Sequence, residues 1–172
     1  MQFKRILFLI ILLLSAATGF AQQAHRLHAL LIVDIIKNTD FPVEGTEYVI
    51  AVLGKSPVHD ELKTYTQNVH MKNLNIRVVQ LDDVDEISND ALPQVVFITR
   101  DMSGSFLTLL AKTRTRPMII ISEDEGLYIK GAEFSVSQHE TKGFHVNVND
   151  RALERRQVKI SRTLDPIIEN RI

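Results

Sequence analysis

Apolar and polar positions along this chain alternate between two periods, and the changes of period outline the fold. Ile6 to Leu14 is an uncharged apolar run. From Gln22 to Asn38, Leu27, Leu30, Leu31, Ile35 and Ile36 fall at helical spacing. Ile32 and Val33 carry the apolar surface almost around that helix, so it must be buried on most sides or covered by a partner. His28, Asp34 and Lys37 interrupt it and argue against membrane insertion. Phe41-Pro42 stops it, because a residue before proline disfavours helical backbone.

Tyr48 to Leu53 is apolar at nearly every position and ends at Gly54, the pattern of a strand buried on both faces of a parallel sheet. Pro57 suits the first turn of a helix running to about Asn68, with Ser56 as its cap. Asn75–Leu81 and Val95–Thr99 read as further strands, with Ile76 and Val78 inward. Ser103–Lys112 reads as a helix packing through Phe106, Leu107, Leu109 and Leu110. Pro117–Ser122 is a fourth strand, and Glu123-Asp124-Glu125 opens another helix, where acids favour the positive end. The fold class is therefore α/β, a layered, mostly parallel sheet flanked by helices.

The pattern then alternates more clearly. Glu133–Gln138 and Phe144–Asn149 predict an antiparallel hairpin, turned by Thr141-Lys142-Gly143, with one wet side. Phe134 and Val136 share one face, while Phe144, Val146 and Val148 share another; His145 points to solvent. Asp150 caps a final helix from Arg151 to about Leu164, ended or kinked by Pro166.

The start of the chain sets the compartment. Lys4 and Arg5 precede the apolar run, and Gly19-Phe20-Ala21 fits a signal-peptidase site, so residues 1–21 read as a cleaved secretory signal peptide and 22–172 as a single domain. The expected location is periplasmic. The absence of Cys excludes a lipoprotein anchor and disulfides. Of 20 basic residues two lie in 1–21 and none of the 21 acidic ones, leaving 18 against 21, a net of −3. That balance argues against nucleic-acid binding.

No catalytic set assembles. Ser103 follows a strand and opens a helix, yet the Gly-x-Ser-x-Gly elbow is missing, and a cap explains Ser and Asp there. Gly54-Lys55-Ser56 lacks the spacing of a phosphate loop. Six His residues are scattered, and His25 and His28 have no third ligand at metal spacing, so neither metal nor cofactor is expected. Arg151 and Arg155 share a helical face that Lys159 extends, either as solvated surface or as a contact for an acidic partner or anionic ligand. The apolar surplus of the first helix nominates His28, Leu31, Asp34 and Ile35 as a partner contact, with core burial as the competing reading.

Gly131-Ala132-Glu133-Phe134, the strand ending at Asn149, and Lys159-Ile160-Ser161 stand in the order found at the close of the YfiR-like family of small secreted bacterial proteins, and the chain resembles that family. Phe41-Pro42 is similar to its aromatic-Pro helix end, and Gly54 to the Gly closing its first strand. Ala132 replaces the second Gly of a pair, Cys residues are missing, and Asp165-Pro166 breaks the apolar tail. The resemblance implies a dimeric periplasmic regulator that binds a membrane diguanylate cyclase or, alternatively, a histidine kinase. A small-ligand binder using the strand-end crevice is the competing class. An enzyme is not expected.

Overall fold

The computed structural model describes residues 23–43, 45–88, 92–114, 116–139 and 143–172. Residues 1–21, read from sequence as a signal peptide, and Thr141-Lys142 of the expected turn lie outside the described residues. Helix α1 covers residues 23–37, and the short strand β1 (Thr39–Asp40) follows. Then come β2 (Glu47–Leu53), α2 (Val58–Thr66), β3 (His70–Met71), β4 (Leu74–Leu81) and β5 (Val95–Ile98). A 3-10 segment, Arg100–Ser105, leads into α3 (Phe106–Thr113). Next are β6 (Ile119–Ser122), α4 (Gly126–Lys130), β7 (Phe134–His139) and β8 (Gly143–Val148). The chain closes with α5 (Asp150–Arg155), β9 (Lys159–Ile160), a 3-10 turn Arg162–Ile167, and β10 (Ile168–Arg171).

The main sheet runs β10-β8-β7-β6-β5-β2-β4-β3, while β1 and β9 form a separate antiparallel pair. The strands β4, β2, β5, β6 and β7 are parallel to their neighbours within that series. This is a doubly wound order that reverses between β2 and β5. Strands β3 and β8 run antiparallel to β4 and β7.

Both faces of the sheet are covered, which explains why its central strands are apolar at successive positions. On one face Ile50, Val52, Phe97, Ile119 and Ile121 pack with Ile32, Ile35 and Ile36 of α1 and Leu62 of α2. On the other, Ala51, Leu53, Val96, Ile98 and Ile120 pack with Phe106 and Leu109 of α3 and Leu127 of α4. Most of the apolar surface on α1 is accounted for by this burial, with Leu27 left 44% exposed.

Several expectations are corrected. Phe134, Val136, Val146 and Val148 share one face, because the hairpin register sets Phe134 opposite Val148 and Val136 opposite Val146. The opposite face is not wet: Ser135, Ser137, His145 and Asn147 are all buried. Alternation of polar residues reports chemistry, not exposure: Glu169 and Asn170 of β10 partner His145 and Asn147, while Ser137 Oγ and His145 Nε2 are buried without a partner among the described residues. Leu107 does not pack inward but is 66% exposed. Ser103 does not cap α3; it sits inside the 3-10 segment, and the cap position of α3 has no side-chain hydrogen bond. The last helix ends at Arg155, where Gln157 turns the chain at φ 57°, so Lys159 lies on a strand. Its cap is Asn149, not Asp150: the Ala152 N–H donates to Asn149 Oδ1 at 2.8 Å.

Candidate functional site

Polar groups inside the fold first account for how the ends are fixed. Arg156, at the C-terminal end of α5, is almost wholly buried, as is Glu133. Its Nε donates to Glu133 Oε1 at 2.7 Å, and its Nη1 donates to the carbonyls of Thr113 at 2.7 Å and Arg116 at 3.0 Å. The Ile120 N–H donates to the other Glu133 oxygen at 2.8 Å. Burial pushes the Glu133 carboxyl up to about 7, against the pull of Arg156 and this N–H. One ion pair thus ties α5 to the end of α3, to β6 and to the turn before β7.

The residues of the family-like pattern perform related work. Gly131 adopts φ 122°, and a Cβ there would lie 3.4 Å from both Arg155 Nη2 and Leu110 Cδ2. Asn149 caps α5 and donates from Nδ2 to the Tyr128 carbonyl at 2.6 Å. Ser161 donates its N–H to the Asn38 carbonyl at 2.8 Å and accepts from the Thr163 N–H, joining β9 to the end of α1. Phe41 is buried edge-on to Tyr48, with Lys72 over its ring, and Pro42 follows it out of the core.

At the strand-order reversal Gly54 has φ 102°, and a Cβ would lie 1.9 Å from Thr99 Oγ1 and 2.7 Å from the Met102 side chain. Thr99 donates to the Leu53 carbonyl at 2.8 Å. Side chains therefore fill the space immediately between these two strand ends, where a doubly wound sheet commonly opens to a ligand.

The nominated partner residues of α1 separate. His28 and Ile35 are buried, which removes them from any accessible contact. His28 lies edge-on to Phe97 with ring centroids 5.1 Å apart and 5.3 Å from Phe144. Burial lowers its pKa to about 4. Asp34 is exposed and Leu31 half-buried. Beside them, Leu27 and Tyr65 flank a groove between α1 and α2.

The nominated basic residues separate as well. Arg151 and Arg155 border one cleft together with Ile129, Lys130 and Ile172. Arg155 also borders a second cleft with Leu107, Leu110 and Arg114. Lys159 lies elsewhere, in a depression with Asp40 and Lys72. Sequence reading turned Leu107 inward and missed Ile129, Arg114 and Lys130, because residues on separate helices carry no common spacing.

Among the described residues no group of three or more metal-ligating side chains converges, and no helix is long and apolar enough to cross a membrane. Fold and surface together define a doubly wound α/β domain whose buried polar groups are mostly joined to one another and whose conspicuous outward features are apolar and basic. The chain belongs to the YfiR/HmsC-like family, a domain of unknown function, which matches residues 25–164. No curated protein matches it in sequence.

Solved structures share the fold at low identity. A conserved domain protein from Vibrio cholerae O1 biovar eltor aligns with TM-score 0.61 and 11% identity, over 86% of this chain and 60% of that one. An ABC domain in complex with L-Trp from Streptococcus pneumoniae aligns with TM-score 0.54 and 11% identity, over 87% and 60%. The chain thus spans about three fifths of the length of each.

Proposed function

We propose that this chain is exported through residues 1–21 and acts in the periplasm as a regulator of a membrane signalling enzyme, in the first instance a diguanylate cyclase. The observation that carries this reading is membership of the YfiR/HmsC-like family across residues 25–164, a resemblance that implies regulation of a membrane cyclase. The chain binds the receptor's exposed sensor domain, alone or as a homodimer, and performs no catalysis. Its output is a shift in the receptor's conformational balance, which requires tighter binding to one receptor state. Complete switching between 1:99 and 99:1 requires a preference of about 10⁴-fold. A histidine kinase receptor would use the same physics.

The cyclase reading is tested by measuring cyclic-di-GMP in cells lacking the chain and in cells re-expressing it. A change reversed by the exported chain, but not by one retained in the cytoplasm, supports the proposal. Levels that ignore the chain under conditions where its receptor is expressed sink the cyclase arm.

A further inference from the structure

We propose that the face formed by α3, α4 and α5 docks an acidic, amphipathic segment of the protein partner. This rests on the regulator reading above and adds the surface and the chemistry of contact.

Three observations converge on this face. Leu107 and Ile129 are each 66% exposed, and Ile172 45%. They make up three of the five large apolar side chains most exposed among the described residues, the other two being Leu27 and Tyr65. Arg114, Lys130, Arg151 and Arg155 surround them, all exposed. None of the four has an ion pair or side-chain hydrogen bond among the described residues; Arg26, Lys37, Lys55 and Lys63 share that state, so it is the clustering of the four around the apolar side chains that sets this face apart. Between these groups lie two clefts, of about 330 Å³ and 300 Å³, which share Arg155 as a wall.

Helix C-termini favour cations, which accounts for Arg114, Lys130 and Arg155. That effect does not account for Arg151 in the first turn of α5, nor for the apolar side chains between the cations. Unpaired cations on a region whose net charge is negative form a local positive site that steers acidic groups towards it. Apolar side chains beside side-chain-sized clefts supply the centre of a contact, and the cations its charged rim. Concave clefts fit the side chains of a protein segment better than a flat bilayer surface.

The face is also held rigid before binding. Asn149 and the Arg156–Glu133 pair fix the two ends of α5. The Asp150 N–H donates to the Ile172 carbonyl at 2.8 Å, and the Ile172 N–H to the Val148 carbonyl at 3.1 Å, which anchors the final residue. Such rigidity lowers the ordering cost of association.

The experiment places a photo-crosslinking amino acid singly at Leu107, Ile129 and Tyr65 in the full chain, exported in living cells. Mass spectrometry then identifies the crosslinked peptide. The expected result is adducts from positions 107 and 129 to an Asp/Glu-rich stretch of a membrane signalling protein. The double variant Arg151→Glu/Arg155→Glu should lower their yield about tenfold without changing Tm, because both residues are exposed. Lys substitutions in the partner's acidic stretch should restore the yield. Adducts to that receptor only from position 65 overturn the docking face and leave the regulator reading standing. Adducts to lipid, to a second copy of this chain, or to a non-acidic segment overturn it too, as does a yield indifferent to charge reversal.

Discussion

Arg156 Nε and Glu133 Oε1 meet at 2.7 Å with both side chains almost wholly removed from water. Removing one partner leaves a buried charge unmatched. Arg156→Met should therefore destabilise the fold by about 3–5 kcal/mol. The double variant Glu133→Gln/Arg156→Met, which leaves neither charge, should recover about 2 kcal/mol of that loss. Denaturant unfolding of wild type, both single variants and the double variant measures the coupling. Strictly additive losses would show that the two groups do not act as a pair.

His28 supplies a pH dependence of defined sign. Burial lowers its pKa from 6.5 to about 4, with a hydrogen bond to the Val136 backbone pulling the other way. Below 6.5 the unfolded chain takes up a proton that the folded chain refuses. The resulting stability is therefore present above 6.5 and lost as pH falls through the window down to about 4. The difference between wild type and His28→Phe isolates this contribution from Glu133, which titrates in an overlapping range. Wild type should lose up to about 3 kcal/mol more than the variant between pH 7 and pH 4. Parallel stability curves over that range would contradict neutral burial of His28.

Gly54 should tolerate no side chain. A Cβ would overlap Thr99 Oγ1 at 1.9 Å, and the φ of 102° is unfavourable for any L residue with a side chain. Gly54→Ala is expected to cost about 3 kcal/mol or more, read as a fall in the denaturation midpoint. A Gly54→Ala protein as stable as wild type would refute close packing between the ends of β2 and β5.

Helix α1 separates core from surface along one element. Ile35 is fully buried against the sheet, so Ile35→Ala should cost about 2–5 kcal/mol. Asp34 is exposed, and Asp34→Ala should change stability by no more than about 0.5 kcal/mol. Thermal unfolding of the two variants decides this, and equal losses would contradict the placement of α1.

The central strands and α1 were legible because burial on both sides leaves uninterrupted apolar runs such as Tyr48–Leu53 and Ile119–Ile121, whereas the short β1, β3, β9 and β10 carry no such run. The polar interior of the hairpin was not. Ser135 and Asn147 satisfy one another across strands, Nδ2 to Oγ at 3.1 Å, and Asn170 of β10 donates to Asn147 at 2.8 Å. Such pairs bury polar residues that read locally as solvent-facing. The early end of α5 was hidden because Arg156 belongs, by charge, on a helix surface, whereas its partner Glu133 lies 23 residues away in sequence. Arg151 and Arg155 were found through their i, i+4 spacing, yet their neighbours Leu107, Ile129, Arg114 and Lys130 are brought alongside only by the packing of three helices.

The most direct measurement is in-cell crosslinking of the tagged, exported chain with a general crosslinker, followed by identification of the membrane proteins that co-purify with it. The expected result is a cyclase or kinase with a periplasmic sensor domain, enriched over a control exported protein. Recovery of the chain with only itself, under conditions that capture a known receptor complex, would contradict the regulator reading.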